Sequence, residues 1–576
     1  MKKLFAVIII CTLYSIKLNA QHHLLSTEKR IFTHADTLRG TNGANRVWWD
    51  VLCYDITVQP DYETKSIVGK TAITYKVIDD KNSGTMQIDL QSPMQIDSVI
   101  LDNIRVSVEK IDSNVYLINS HLQYPAGTGA PRKYYDNKDW KKEITIYYHG
   151  NPRIAKNAPW DGGWIFTKDS LGRPWMTVAC QGLGASVWYP CKDYQGDEPD
   201  SGASITTIVP DTLVAVANGK LTNKQNLSNH LTSYTWAVKN PINNYDIVPY
   251  VGKYVFYDTT YDGLKGALPV SLWALDYDMD KMKTHCKPDV FKMLKAFEYW
   301  YGPYPFYEDG YKLVEAPHLG MEHQSDVAYG NHFLNGYLGR DLSHTGIGLK
   351  FDFIVVHESG HEWFANSITS KDIADMWIHE SFTNYCESLF TEYYWGKKEA
   401  QDYVYGIRQN IENDKPIIGH YGVNDEGSGD MYYKGANMIN NIRHSINDDS
   451  TFRGLLHGLN KTFYHQTITS KQIEDYINQY TKINFDKVFQ QYLTTTQIPE
   501  LEIYFSDDNK TIHYRYSNCV EGFNMPIVLH NGNTSFKFLP TTQWQSKPVK
   551  TAAEADLLNP IEIEAQYYLT CKQVRN

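Results

Sequence analysis

His357-Glu358-Ser359-Gly360-His361 and, eighteen residues further on, Glu380 within Trp377-Ile378-His379-Glu380-Ser381 decide how this chain is read. On a helix, His357 and His361 stand one turn apart on one face, so two imidazoles converge on a single point. That point suits a zinc ion. Glu358 is rotated about 100° from His357, which keeps it off the metal while leaving its carboxylate near a water there. Its expected role is general base. Glu380 supplies a third ligand from a separate segment and leaves one position for water, the open arrangement of catalytic zinc sites.

The surroundings fit helices. Phe353, Ile354, Val355 and Val356 give an apolar entry to the first, and Phe364 continues its inward face. Ile378, Phe382, Tyr385, Leu389 and Tyr393 recur at three- and four-residue steps and Gly396 supplies a stop. Glu380 is thereby expected in the first turn of a second helix.

Working outward, the fold expected is multidomain α+β. Leu52, Tyr54, Ile56 and Val58 alternate, as do Ile144, Ile146 and Tyr148, and strand-forming residues stay dense to about residue 260. This predicts an N-terminal antiparallel β domain over 21–260. From Pro288 the pattern becomes helical, with Phe291, Leu294, Phe297 and Trp300 ending at Gly302-Pro303. Further helical patterns cover 435–446, 452–462 and 471–493, giving a mostly helical catalytic domain over 261–495. After Pro499 strands return, with Asn531-Gly532 as a hairpin signal. A small C-terminal β-sandwich-like domain is expected over 496–576.

The chain opens with Met1-Lys2-Lys3, an apolar stretch from Leu4 to Ile16, and Leu18-Asn19-Ala20. This reads as a secretory signal peptide cut after Ala20, hence a secreted or periplasmic protein. Its loss would move the formal net charge from -11 to -14. Acidity without a basic cluster argues against nucleic-acid and anionic-membrane partners. No later run of eighteen apolar residues is present, so stable membrane insertion after signal cleavage is not expected. Seven cysteines remain beyond the leader, at 53, 180, 191, 286, 386, 519 and 571. The odd number leaves at least one thiol free, and Cys519 and Cys571 could either pair or stay as buried thiols. The 43 tyrosines are scattered through strands and read as sheet residues.

Two further segments stand out: Leu319-Gly320-Met321-Glu322-His323, and Met431-Tyr432-Tyr433-Lys434-Gly435-Ala436. With HExxH, the eighteen-residue gap and the WxxE setting of Trp377 and Glu380, they make the chain similar to the aminopeptidase N family of gluzincin metallopeptidases. Residues 319–323 resemble that family's GxMEN segment and residues 432–435 its YxKG segment. Cys180-Gln181, with Gln181 nine residues before Pro190-Cys191, resembles an upstream family segment. Thermolysin-like endopeptidases fit this spacing less well.

The resemblance implies a thermolysin-like catalytic domain with one zinc ion held by His357, His361 and Glu380, and with Glu358 activating the water. It implies that Gly320, Met321 and Glu322 bind substrate and that Glu322, helped by Gln181, takes the free α-amine of a peptide. Tyr432 would donate to the oxyanion, with its neighbour Tyr433 the alternative. The reaction so implied is release of the N-terminal residue from peptides. Two departures stand beside it: His323 replaces the usual Asn and Leu319 a usual Gly, which bears on geometry and pH optimum. His318 and His323 are spare potential ligands without a spacing that predicts a second metal. The large helical C-terminal domain of many relatives is not expected, which would leave the site more open. The competing readings are an epoxide or other hydrolase on the same site, as among leukotriene-hydrolase relatives, and a non-catalytic peptide-binding homologue.

Overall fold

The computed structural model describes residues 31–79, 84–101, 103–119, 141–531 and 534–575; the expected leader at 1–20 lies outside them. Helix α1 (His34–Gly40) comes first, with Thr33 and Asp36 forming a reciprocal capping box. An eight-stranded sheet follows, in which Trp49–Asp61 sits between Ala203–Pro210 and Ser66–Val77. The alternation over 51–58 is seen as alternate burial along Trp49–Asp61. The sheet is antiparallel at most junctions, but Tyr54–Val58 runs parallel to Ala203–Thr207.

A five-stranded sheet links this part to the helices, in the order Tyr254–Gly263, Gly266–Leu275, Tyr311–Glu315, Val327–Tyr329, Gly320–Met321. Its first strand spans residue 260, where the sequence placed a division. Successive side chains of a strand point to opposite faces. Here Leu272, Leu313 and Val327 enter the core with the helices. Trp273, Val314 and Ala328 enter the core of the N-terminal β part. A sheet covered on both faces buries successive positions of its strands, and all five residues of Tyr311–Glu315 are buried, the charged Lys312 and Glu315 included. The short strand Gly320–Met321 forms the sheet's edge.

The helices around that edge are α2 (Lys287–Tyr301), α3 (Phe353–Gly360), α4 (Trp377–Trp395) and α5 (Tyr433–Ile446). Asp352 caps α3, accepting from the amides of Ile354 and Val355, and also takes the Tyr329 hydroxyl at 2.6 Å, which ties the helix to the sheet. Two glycines let α4 be approached closely. A Cβ at Gly360 of α3 would lie 2.6 Å from Cys386 Sγ, and one at Gly435 of α5 would lie 1.9 Å from Ser381 Oγ.

The pattern over 471–493 is two helices, Ser470–Thr481 and Asp486–Thr494. Lys482 takes a left-handed conformation, φ 61°, and Asn478 Oδ1 accepts from the Phe485 amide at 2.8 Å, so the chain turns there. In the C-terminal part, Ile527–Asn531 and Thr534–Phe538 form the expected hairpin. Two helices, Ala552–Leu557 and Pro560–Gln566, interrupt the strands expected over 496–576. Leu501, Ile503 and Phe538 share one continuous core with the catalytic helices. Cys519 and Cys571 are free thiols, both partly buried. Among the described residues, no helix is long and apolar enough to cross a membrane.

Candidate metal centre

Helix α3 carries His357 and Glu358 and ends at Gly360, with His361 as its C-cap. The chain then makes a π-type turn over Glu362–Asn366 in which Ala365 adopts φ 145°. That conformation is strained for a residue with a Cβ, and it returns the chain toward α4. Glu380 lies in the first turn of α4, as its spacing predicts.

His357, His361 and Glu380 come together and are all buried. From Glu380 Oε2, the His361 Nε2 lies 3.5 Å away and the His357 Nε2 3.8 Å. Three ligands at about 2.0 to 2.2 Å from one tetrahedral ion stand roughly 3.3 to 3.6 Å apart; the His361 separation of 3.5 Å falls within that range and the His357 separation of 3.8 Å just beyond it. The donor chemistry fits a zinc ion. Burial holds both imidazoles neutral, His357 pushed down to about 3 and His361 to about 4. Neutral nitrogens are what a metal requires. Glu380 is pushed well above the ordinary carboxylate range by burial, then by the charges of Glu322 and Glu358. Its Oε2 is buried without a hydrogen-bond partner. A buried, unpartnered carboxylate oxygen facing two imidazoles is a cation's position.

Both imidazoles are oriented from α4. His357 Nδ1 pairs with Glu387 Oε1 at 2.8 Å, and His361 Nδ1 lies 3.1 Å from Thr383 Oγ1 and 3.0 Å from the Phe364 carbonyl. Such partners fix the ring and leave Nε2 for the metal. Glu387 is itself raised to about 8 by burial, against hydrogen bonds from Tyr403 and Asn384 that lower it. Sequence reasoning missed both residues. The signal was available: Glu380, Thr383 and Glu387 fall at i, i+3 and i+7, one face of one helix.

A cleft at the sheet edge is lined by this triad together with Gln181, Gly320, Met321, Glu322, Glu358 and Tyr432. Every residue singled out from the sequence as a site residue therefore meets at one place. Glu358 is pushed well above its ordinary range by burial, then by Glu322 and Glu387. It packs so closely that a Cβ on Gly320 would lie 2.5 Å from its Oε1. Glu322 Oε1 accepts from Gln181 Nε2 at 2.5 Å and from the Tyr245 hydroxyl at 3.0 Å. Tyr432 packs against the His357 ring, centroids 6.0 Å apart, and its hydroxyl reaches Glu380. Burial keeps its phenol neutral, the charge of Glu380 adding to the effect. Tyr433 does not line the cleft. Tyr245, Trp160 and Glu426 join the site from segments that no sequence pattern connected to it, and Met376 from the position just before Trp377.

His323 is fully buried behind the cleft, its Nδ1 against Tyr250 Oη at 2.5 Å, and burial pushes it well below its ordinary value. It is a neutral packing group, and neither it nor His318 belongs to a metal-ligating cluster among the described residues. The pH concern raised by its identity does not arise from its surroundings.

Comparison with known proteins agrees. Residues 290–492 match the Peptidase family M1 domain. The chain is 23% identical over 226 residues to an aminopeptidase N of Lactobacillus helveticus, covering 35% of this chain and 26% of that protein. It is 20% identical over 454 residues to a leukotriene A-4 hydrolase of Xenopus laevis, covering 74% and 67%. The chain thus spans about a quarter of the first relative's length. A mutant M1 zinc metallopeptidase of Deinococcus radiodurans, solved with a Tyr-Ser-Ala substrate, has the same fold, with TM-score 0.63 and 18% identity over 79% of this chain and 96% of that one. The region that matches the Peptidase family M1 domain contains His357, His361 and Glu380, and over it the chain is similar to aminopeptidase N relatives.

Proposed function

We propose that this chain is a zinc-dependent aminopeptidase, with one zinc ion per chain, that removes the N-terminal residue from peptides bearing a free α-amine. The observation that carries the reading is the nearness of two devices in one cleft. Candidate ligand atoms of Glu322, Glu358 and His361 lie within 4.8 Å of one another. An ammonium on Glu322 and a carbonyl at the metal triad would therefore be separated by about one amino-acid residue. The relatives named aminopeptidase and the solved M1 metallopeptidase with a bound tripeptide support the same reading.

A zinc ion bound by His357, His361 and Glu380 would polarise the scissile carbonyl and lower the pKa of a coordinated water to about 7. The chain's own residues do the rest. Glu322, fixed by Gln181 and Tyr245, neutralises the desolvated ammonium through charge-assisted hydrogen bonds. Glu358 takes a proton from the attacking water and passes it to the leaving amine. Tyr432, held as a neutral phenol, donates to the developing oxyanion, a contribution of about 2.7 to 4 kcal/mol. Gly320–Met321 is the edge strand of its sheet among the described residues, a place where an extended peptide can add as a further strand.

The test compares aminoacyl arylamides with their N-acetylated counterparts. Free-amine substrates should be cleaved and acetylated ones resist, with kcat/KM lower by about 10²-fold or more, the scale of an unpaired buried charge. Rapid cleavage of acetylated peptides would mark an endopeptidase instead.

Gly320 offers a second check. Because a Cβ there would press on Glu358 Oε1 and would also lie 2.9 Å from Ile354 Cγ2, Gly320→Ala must move either the base or the edge strand. A displacement near 1 Å costs about 10²-fold in rate. Steady-state kinetics of a folded, metal-loaded Gly320→Ala should show that loss, and wild-type kinetics would contradict the packing.

A further inference from the structure

Helix α1 lies before the β domain in sequence, yet it meets the rim of the active-site cleft. Arg39, in its last turn, donates from Nη2 to the Gln181 carbonyl at 2.7 Å and from Nη1 to the Gly182 carbonyl. Its side chain is only 14% exposed, and its Nε stands 4.0 Å from Asp193 Oδ2. Asp193 is in turn fixed by the Ser186 hydroxyl at 2.5 Å. The space around Arg39 is closely filled, since a Cβ on Gly184 would lie 2.8 Å from Nε.

The Gly182 carbonyl has a second donor from another segment. Asn424 Nδ2 donates to Gly182 O at 3.2 Å, while the Asn424 amide donates to the Asp36 carbonyl of α1 at 3.2 Å. Gly40 closes α1 against Val423, where a Cβ would lie 2.4 Å from the Val423 Cα. Glu426, two residues beyond Asn424, lines the cleft, and a Cβ on Gly182 would lie 3.0 Å from its Oε1. Three separate segments therefore converge on the peptide unit after Gln181: α1, the 180–184 loop and the 419–427 loop.

We propose that Arg39 is a positioning residue for substrate binding. A guanidinium fork that holds two successive carbonyls fixes the backbone of Gln181, and with it the amide that meets Glu322. This rests on the aminopeptidase reading, in which Glu322 takes the substrate ammonium. Arg39 does not line the cleft, so its effect must pass through Gln181.

The experiment is a double-mutant cycle of Arg39→Ala and Gln181→Ala on a free-amine arylamide, with Arg39→Lys as the conservative variant. Loss of one charged hydrogen-bonding group is expected to raise KM about tenfold with kcat within about twofold. In the Gln181→Ala background the same change should have little further effect, because the two residues act as one unit. Arg39→Lys keeps the charge but not the fork, and should recover only part of the loss. Independent, multiplying effects, or full recovery by Lys, would overturn the proposal. A crystal structure of Arg39→Ala gives a readout that needs no turnover. Gln181 should have left Glu322, and an unmoved Gln181 would overturn the proposal even in an inactive protein. A wild-type enzyme inert toward free-amine substrates would instead refute the aminopeptidase reading.

Discussion

Glu358→Gln is expected to keep the fold and the bound metal and to lower kcat by about 10² to 10⁴, the usual contribution of a positioned general base. The substitution is nearly isosteric, which matters because Glu358 lies so near Gly320 that a Cβ there would come within 2.5 Å of its Oε1. What is removed is the basic oxygen. Burial, followed by the charges of Glu322 and Glu387, pushes the carboxyl upward from its ordinary value and so makes that oxygen more basic. Glu358 touches neither of the groups proposed to hold the substrate ammonium, so KM should change little. Turnover of an aminoacyl arylamide and metal content by elemental analysis, on the same preparation, check both halves. Equal turnover in the two proteins would remove Glu358 from the mechanism.

The catalytic centre was legible because its parts are local. Two imidazoles and a carboxylate on one helical turn are fixed by helix geometry alone, and a ligand in the first turn of the next helix adds only one unknown, the crossing of α3 and α4. Gly360 against Cys386 settles that crossing. The residues that orient the imidazoles were equally local and were overlooked: Thr383 and Glu387 follow from Glu380 by the same helical step that pairs His357 with His361. The helix at Pro560–Gln566 was overlooked too, where strands were expected, although Asn559-Pro560 is a cap followed by a first-turn proline.

Other features could not be read, and for a common reason. Tyr245, Asn424 and Arg39 reach the site or its rim through tertiary contacts across 77 to 242 residues of chain, and no periodicity encodes such a meeting. The stretch 312–315 reads as strand-like and is a strand, but with Lys312 and Glu315 in it no sequence pattern signals its burial on both faces. Only the two cores on either side of the sheet explain it. The break at Lys482 depends on Asn478 turning its side chain to the Phe485 amide, a choice made by one polar residue inside an otherwise unbroken apolar rhythm.

Removing the metal should have the largest effect of all. In the cleft the charge of Glu322 raises the carboxyls of both Glu358 and Glu380, and that of Glu358 raises Glu380 further, with two neutral imidazoles as the remaining donors. Like charges buried together are costly unless a cation compensates them. Dialysis against a chelator is therefore expected to abolish turnover and also to lower stability. A ligand present at a thousand times its Kd stabilises by about 4.1 kcal/mol. For a chain of 576 residues, unfolding entropies of about 2.1 cal/mol/K per residue turn that into a Tm shift of about 3 to 4 °C. The shift should return with one equivalent of zinc, as should activity. In His361→Ala, which removes a ligand, zinc should restore neither. The Thr383 hydroxyl would lose a partner there, so Thr383→Val is the control: it keeps all three ligands and should still regain activity on adding zinc. A chelated protein holding less than about a tenth of an equivalent of metal yet fully active would show that catalysis does not run through this triad, because a catalytic metal must be present in proportion to the turnover it supports.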